Sequence, residues 1–145
     1  MATSGSEGED PSKDGGPAGR ALILVVERNP AVQQLERFFL EQAGFSVEFA
    51  SDGRTALERA RELRPGILVT EILVPKLDGL SLCRLVKADP LLGETAVLVF
   101  SHLQAEDRAR EAGADAFLTK PLAAERLIPT VERLILQKGG PTKAQ

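Results

Sequence analysis

The chain has 145 residues and a formal charge of -3, and 43% of its residues are hydrophobic. This length suits one domain with its own hydrophobic core. The acidic balance argues against a nucleic-acid or anionic-membrane surface, because either would need a basic patch. The single cysteine, Cys83, excludes an internal disulfide and fits a reducing compartment. Since no apolar run approaches the roughly 20 residues of a membrane span, we expect a cytoplasmic protein.

Composition divides the chain into three parts. Residues 1–20 are mostly glycine, serine, proline and acidic residues. They have little to bury, so the entropy of ordering them would not be offset, and we expect a disordered acidic tail. Residues 139–145 predict a second flexible tail, which leaves residues 21–138 as the folded domain.

Strand-like and helix-like segments alternate along this domain. The sequence predicts strands over residues 21–26, 45–50, 67–70, 96–100 and 116–119, of which the second alternates between apolar and polar residues. The pair Asn29-Pro30 predicts the start of a first helix that ends at Gly44. Its expected apolar face consists of Val32, Leu35, Phe38 and Phe39. Further helices are predicted over residues 55–63, 80–87 and 105–112, and a last helix spans residues 127–135. Within that last helix, Pro129 predicts a kink or a later start.

This alternation predicts an α/β fold in which a doubly wound parallel sheet has helices on both faces. The second strand places Phe45, Val47 and Phe49 against Ser46 and Glu48 in strict alternation. Such a pattern indicates a half-exposed strand at a sheet edge, which favours the flavodoxin-like (βα)5 strand order 2-1-3-4-5. A GxGxxG turn does not follow the first strand, so dinucleotide binding is not expected.

Polar residues follow four of the predicted strands. These residues are Glu27 and Arg28, then Glu71, then Ser101 and His102, and finally Lys120 and Pro121. Because the carboxyl ends of parallel strands meet at one rim of a sheet, we expect these residues to form one site.

Three stretches carry a resemblance to a known family. They are LVVERNP at residues 24–30, LVTEILVPKLDG at residues 68–79, and GADAFLTKP at residues 113–121. In order and spacing, residues 21–138 resemble the receiver domain of bacterial two-component response regulators. The resemblance implies a signalling domain that is not an enzyme.

The resemblance also implies roles by position. Receivers place an aspartate at the position of Glu71, where it accepts a phosphoryl group from a histidine kinase. They place two acids at the positions of Glu27 and Arg28 to hold Mg²⁺. A hydroxyl at Ser101 and an aromatic ring at Phe117 act as the switch. A lysine at Lys120, here followed by Pro121, pairs with the phosphoryl oxygens.

Glu71 and Arg28 depart from this pattern. Mg²⁺ demands near-ideal octahedral oxygen geometry, and Arg28 removes one oxygen ligand and adds a permanent cation. The extra methylene of Glu71 moves the carboxylate by about 1.5 Å, and a misplacement of about 1 Å can cost on the order of 100-fold in rate. We therefore predict a pseudo-receiver that has lost its Mg²⁺ site and its phosphorylation and has no other cofactor.

An ion pair is expected in place of the metal. A buried carboxylate is tolerable only when it is paired, so we predict an ion pair between Arg28 and Glu71 with Lys120 close by. A weak cation site at Glu27 and Asp78 is the alternative. Two further residues have structural roles in this prediction. His102 narrows the mouth of the site, and Cys83 packs in the core.

Three functions remain open. The first is a stand-alone adaptor that binds a protein through the face of the fourth helix, fifth strand and fifth helix. Ser101 and Lys120 are only 19 positions apart, about one helical turn less than the resemblance implies, which shortens that face. The second is a single-domain response regulator phosphorylated on Glu71 in a phosphorelay, and the third is a sensor of a small molecule. In each case we expect a monomer or weak homodimer that binds neither nucleic acid nor membrane.

Overall fold

The structure is a computed structural model, and it describes residues 21–139. The predicted tails lie outside the described residues, apart from Gly139, which ends the last helix. Among the helices in this range, none combines the length and the apolar character needed to cross a bilayer.

Five parallel strands form one sheet. The strands are β1 Leu22–Val26, β2 Ser46–Ala50, β3 Ile67–Thr70, β4 Ala96–Ser101 and β5 Ala116–Thr119. Their order in the sheet is β2-β1-β3-β4-β5. The predicted flavodoxin-like fold and its strand order are therefore confirmed, and the alternating strand β2 lies at a sheet edge.

Within residues 21–139, four α-helices and one short 3-10 helix connect the strands, and a fifth α-helix follows β5. They are α1 Pro30–Gln42, α2 Gly53–Leu63, α3 Gly79–Ala88, the 3-10 helix Pro90–Leu92, α4 Glu106–Glu111 and α5 Ala124–Gly139. Helix α5 begins five residues before Pro129, so the later start that was one of the two expectations is wrong. The proline removes only a bond to the carbonyl of Glu125 in the first turn, while buried Leu127 and Val131 hold the helix on the sheet on either side.

The sheet separates two apolar clusters, as a doubly wound fold requires. One cluster joins strand residues such as Leu24 and Val26 to helices α2, α3 and α4, and we call it the α3-side core. The other joins Ile23 and Val25 to helices α1 and α5, and we call it the α5-side core. Successive residues of β1 alternate between the two cores, because side chains in a strand point to opposite faces.

Helix α1 does not bury the face that its sequence predicts. Leu35 is 50% exposed and Phe38 is 55% exposed. The buried residues of this helix are Glu36 and Leu40. Asn29 caps the helix through its side chain, and Gln33 Nε2 donates to the carbonyl oxygen of Glu27 at 2.5 Å. These contacts fix the rotation of α1 with Glu36 and Leu40 turned inward, so the predicted apolar face is wrong at Leu35 and Phe38.

Candidate functional site

The predicted rim residues are positioned by the register of the sheet. Val26 pairs with Thr70, so Glu27 and Glu71 leave neighbouring strands side by side. Ser101 ends β4, and its carbonyl oxygen accepts the backbone N–H of Lys120 at 2.9 Å. All four side chains are buried, with residue exposures between 0% and 7%. The structure thus brings Glu27, Glu71, Ser101 and Lys120 into one buried cluster, which we call the rim cluster.

One ammonium group lies between two carboxylates in this cluster. Lys120 Nζ is 2.5 Å from Glu27 Oε1 and 3.0 Å from Glu71 Oε1. Ser101 Oγ donates to Glu71 Oε2, and this same oxygen accepts the backbone N–H of Ile72 at 2.7 Å. The second oxygen of Glu27 accepts the backbone N–H of Asn29 at 3.0 Å. Each carboxylate oxygen therefore has a donor already.

These contacts favour the charged forms of Glu71 and Lys120. Burial raises the pKa of Glu71, but the hydrogen bonds from Ser101 and Lys120 outweigh burial and hold the pKa below its usual value. Burial lowers the pKa of Lys120, while its hydrogen bonds to Glu27 and Glu71 more than reverse this and leave the pKa raised. Glu71 and Lys120 thus stabilise each other's charged form.

Arg28 does not join the rim cluster. Its side chain is exposed, and in the part of the chain that the structure describes Glu71 forms its ion pair with Lys120. The expected pair between Arg28 and Glu71 is therefore wrong. The burial of the two neighbours accounts for the difference, because Glu27 is buried in the cluster whereas Arg28 is exposed to solvent.

The remaining predicted residues lie around the cluster. Phe117 is half-buried and packs against the α3-side core. The peptide bond between Lys120 and Pro121 is cis, and His102 is exposed. Asp78 caps helix α3 by accepting the N–H groups of Leu80 and Ser81, each at 2.9 Å. That carboxylate is thus engaged at a helix terminus.

Cys83 lies in the α3-side core with no exposed surface. Its Sγ is 3.4 Å from the carbonyl oxygen of Ala112. Burial raises the pKa of the thiol to about 11, so it stays protonated at neutral pH and is a poor nucleophile.

The residues of the rim cluster do not fit the Mg²⁺ that the family resemblance implies. Mg²⁺ needs several oxygen ligands in octahedral geometry. The described residues contain no group of three or more histidine, cysteine or acidic side chains arranged to hold a metal ion. Both carboxylate oxygens of Glu27 and both of Glu71 accept hydrogen bonds or ion pairs from protein donors. Arg28 occupies the position where receivers have a second acidic ligand for the metal.

Sequence reasoning missed one buried acid beside this cluster. Glu36 is 1% exposed, and its Oε1 has no hydrogen-bond partner among the described residues. Its pKa is raised to about 8, mainly by burial and also by the charges of Glu27 and Glu71, while the charge of Lys120 acts in the opposite direction. The signal in the sequence is the spacing of Gln33, Glu36 and Leu40, which places all three on one side of a helix.

Comparisons with known proteins agree with this fold. The response regulator receiver domain family matches residues 23–132, so the chain belongs to that family. It is 38% identical over 117 residues to the response regulator MprA of Mycolicibacterium vanbaalenii, covering 78% of this chain and 49% of MprA. The chain spans about half the length of curated relatives such as MprA and the dual master transcriptional regulator RpaA of Synechocystis.

Solved receiver structures share the fold over nearly their whole length. The signal receiver domain of a histidine kinase from Syntrophus aciditrophicus has a TM-score of 0.76 and 32% identity, covering 82% of this chain and 92% of that domain. The receiver domain of the sensor histidine kinase PA1611 from Pseudomonas aeruginosa has a TM-score of 0.74 and 27% identity, covering 79% of this chain and 97% of that domain. That structure has a magnesium ion coordinated in its active-site cleft.

Proposed function

We propose that this chain is a pseudo-receiver that acts as a phosphorylation-independent protein-interaction module in two-component-type signalling. One observation carries the proposal: the Glu71 carboxylate is bonded to both Ser101 and Lys120. In receivers, the residues at these two positions contact the phosphoryl group. Glu71 therefore places a carboxylate of the protein itself against Ser101 and Lys120, the two residues that would otherwise contact a phosphoryl group.

The charge of the site supports a fixed state. Glu71 carries about one negative charge, whereas a phosphoryl group carries roughly 1.5 to 2. Glu71 thus imitates the phosphorylated form in part, and it holds Ser101 and Lys120 through contacts that are buried from water. Because the Glu27 and Glu71 oxygens already have donors, a metal and a phosphoryl group would both have to displace existing contacts.

The proposed docking face comprises α4, β5 and α5. Helix α4 has only six residues, in keeping with the short spacing between Ser101 and Lys120. Phe117 and Thr119 line a shallow pocket against α4 together with Gln104 and Arg108. We propose that this altered face selects a protein partner in the cytoplasm and that the chain is a monomer or weak homodimer.

A second candidate is a response-regulator receiver that is phosphorylated on Glu71. Its support is the 38% identity to the response regulator MprA, together with the magnesium ion in the similar fold of PA1611. This candidate requires Mg²⁺ to bind at Glu27 and Glu71, whereas the pseudo-receiver does not. Binding of Mg²⁺ therefore distinguishes the two candidate functions.

The test is a titration with Mg²⁺ and beryllofluoride, followed by the backbone amide shifts of Glu71, Ser101 and Lys120. We expect no saturable shift in the natural chain at millimolar Mg²⁺. The matched control is the double variant Arg28→Asp, Glu71→Asp, which restores both acids and should give saturable shifts at those amides. Saturation in the natural chain would instead support the phosphoacceptor and overturn the pseudo-receiver. Partner capture should also be unchanged by Mg²⁺ and beryllofluoride.

A further inference from the structure

Glu36 is a buried carboxyl group that the proposed function does not use. It belongs to the inward stripe of α1, is 1% exposed, and leaves Oε1 without a hydrogen-bond partner among the described residues. An ionised carboxylate in such a place is costly unless it is paired and hydrogen-bonded. The packing of α1 therefore favours the neutral acid.

The charges acting on Glu36 belong to the rim cluster. Glu27 follows β1, Glu71 follows β3 and Lys120 follows β5, and all three influence its ionisation. Two of these charges are negative and one is positive. The single ammonium of Lys120 already contacts both carboxylates, so an ionised Glu36 would be a third carboxylate drawn to the same cation.

The other elements beside α1 carry mostly solvent-facing charges. Helix α5 has Glu132, which is half-buried, and its exposed charges are Glu125, Arg126 and Arg133. Strand β2 has Glu48, which is exposed and pairs with Arg59 at 2.9 Å. On α1 itself, Arg37 and Glu41 form an exposed pair at 3.2 Å. Among the described residues, Lys120 is the one buried cation, and its positive charge acts on Glu36.

We propose that Glu36 is a proton switch that couples helix α1 to the rim cluster. In its neutral form the acid lets α1 lie closed on the sheet while Lys120 holds Glu27 and Glu71. When Glu36 loses its proton to bulk water, its new charge competes for Lys120, weakens the contact between Lys120 and Glu71, and loosens α1. This inference does not depend on a partner or on phosphorylation.

The direction of the effect on stability follows from linkage. The pKa of Glu36 is about 8 in the folded protein and 4.5 as the reference value. Between these values the folded state binds a proton that the unfolded state does not. Stability is therefore greatest below the lower value, falls as the pH rises toward 8, and levels off above it. Within that window the folded-to-unfolded ratio should fall by roughly tenfold for each pH unit.

The experiment follows side-chain carboxyl carbons and α1 amide exchange by NMR from about pH 5 to about pH 10 in buffer with EDTA. The variant Glu36→Gln keeps the shape and removes the charge, and Glu41→Gln removes an exposed acid from the same helix as the matched control. We expect one carboxyl carbon to titrate near pH 8 in the natural chain and in Glu41→Gln, and to be absent in Glu36→Gln. With this titration, the α1 protection factors, which correct for the base-catalysed intrinsic exchange rate, should fall and the Lys120 resonances should shift, and both changes should vanish in Glu36→Gln.

Two results would overturn the proposal. In the first, every carboxyl carbon titrates below about pH 6, so that Glu36 is ionised at neutral pH. In the second, a carboxyl titrates near pH 8, but α1 exchange and the Lys120 resonances follow the same pH profile in Glu36→Gln as in the natural chain. If Glu36→Gln fails to fold, Glu36→Leu provides the same comparison, because an apolar side chain suits the buried position.

Discussion

At the scale of single residues, the cation of the rim cluster comes from Lys120 at the end of the last strand. Charge reasoning from the sequence predicts that a buried Glu71 needs a cation, and the structure supplies one. The choice between Arg28 and Lys120 depends on the direction in which each backbone segment points its side chain. That direction is set by the sheet, so residue type alone could not decide it.

Replacing Lys120 by methionine tests the energetic role of this cation. The substitution leaves the carboxylates of Glu27 and Glu71 buried beside each other without a counter-charge. Removing one partner of a buried ion pair typically costs about 3–5 kcal/mol. We expect Lys120→Met to lower the free energy of unfolding by about this amount at neutral pH, as measured by urea denaturation.

A partly exposed ion pair provides the control for this substitution. Lys87 Nζ lies 2.9 Å from Asp115 Oδ2, and the two side chains are 24% and 25% exposed. Because solvent screens such a pair, Lys87→Met should cost about 1 kcal/mol or less. Equal losses in Lys87→Met and Lys120→Met would show that burial of the rim cluster adds nothing to the pair.

At the scale of secondary structure elements, periodicity predicted the strands well and the orientation of α1 poorly. Strands β1, β3 and β4 are continuous apolar runs covered on both faces, so their identity does not depend on orientation. Helix α1 has apolar residues on more than one side, and its rotation is fixed by Asn29 and Gln33 at its start. A choice made by hydrophobicity therefore placed Leu35 inward and overlooked Glu36.

The observed rotation of α1 makes a distinct prediction about its faces. Leu40 is fully buried, and Leu40→Ala should cost about 2–5 kcal/mol because it opens a cavity in the α5-side core. Leu35→Gln and Phe38→Gln should each cost less than about 1 kcal/mol, because both side chains are half-exposed and glutamine is a good helix former. Urea denaturation of the three variants measures these changes in the free energy of unfolding. A large loss of stability in Leu35→Gln, with no loss in Leu40→Ala, would show that the side of α1 with Leu35 packs on the sheet, as its hydrophobicity predicts.

At the scale of the whole molecule, the sequence predicted the topology and the meeting of the polar residues at one rim. Both follow from general rules: helices cover both faces of a parallel sheet, and strand ends share an edge. The edge position of β2 could be predicted because residues 45–50 alternate between apolar and polar side chains, which is typical of a half-exposed strand. The contacts of Glu36 were not readable, since they depend on how α1 packs against elements distant in the chain.

The two cores are joined by the strands they share, which predicts one cooperative unit. Val86 on α3 belongs to the α3-side core and Val131 on α5 to the α5-side core, and both are fully buried. Replacing either by alanine removes two methyl groups and should cost about 2 kcal/mol. We expect Val86→Ala and Val131→Ala each to shift the whole urea transition, seen alike by circular dichroism and by NMR resonances from both faces. The two losses should add to within about 0.5 kcal/mol in the double variant, because the sites do not touch. If the native resonances of one face instead disappeared at a lower urea concentration than those of the other, the two cores would unfold as separate units.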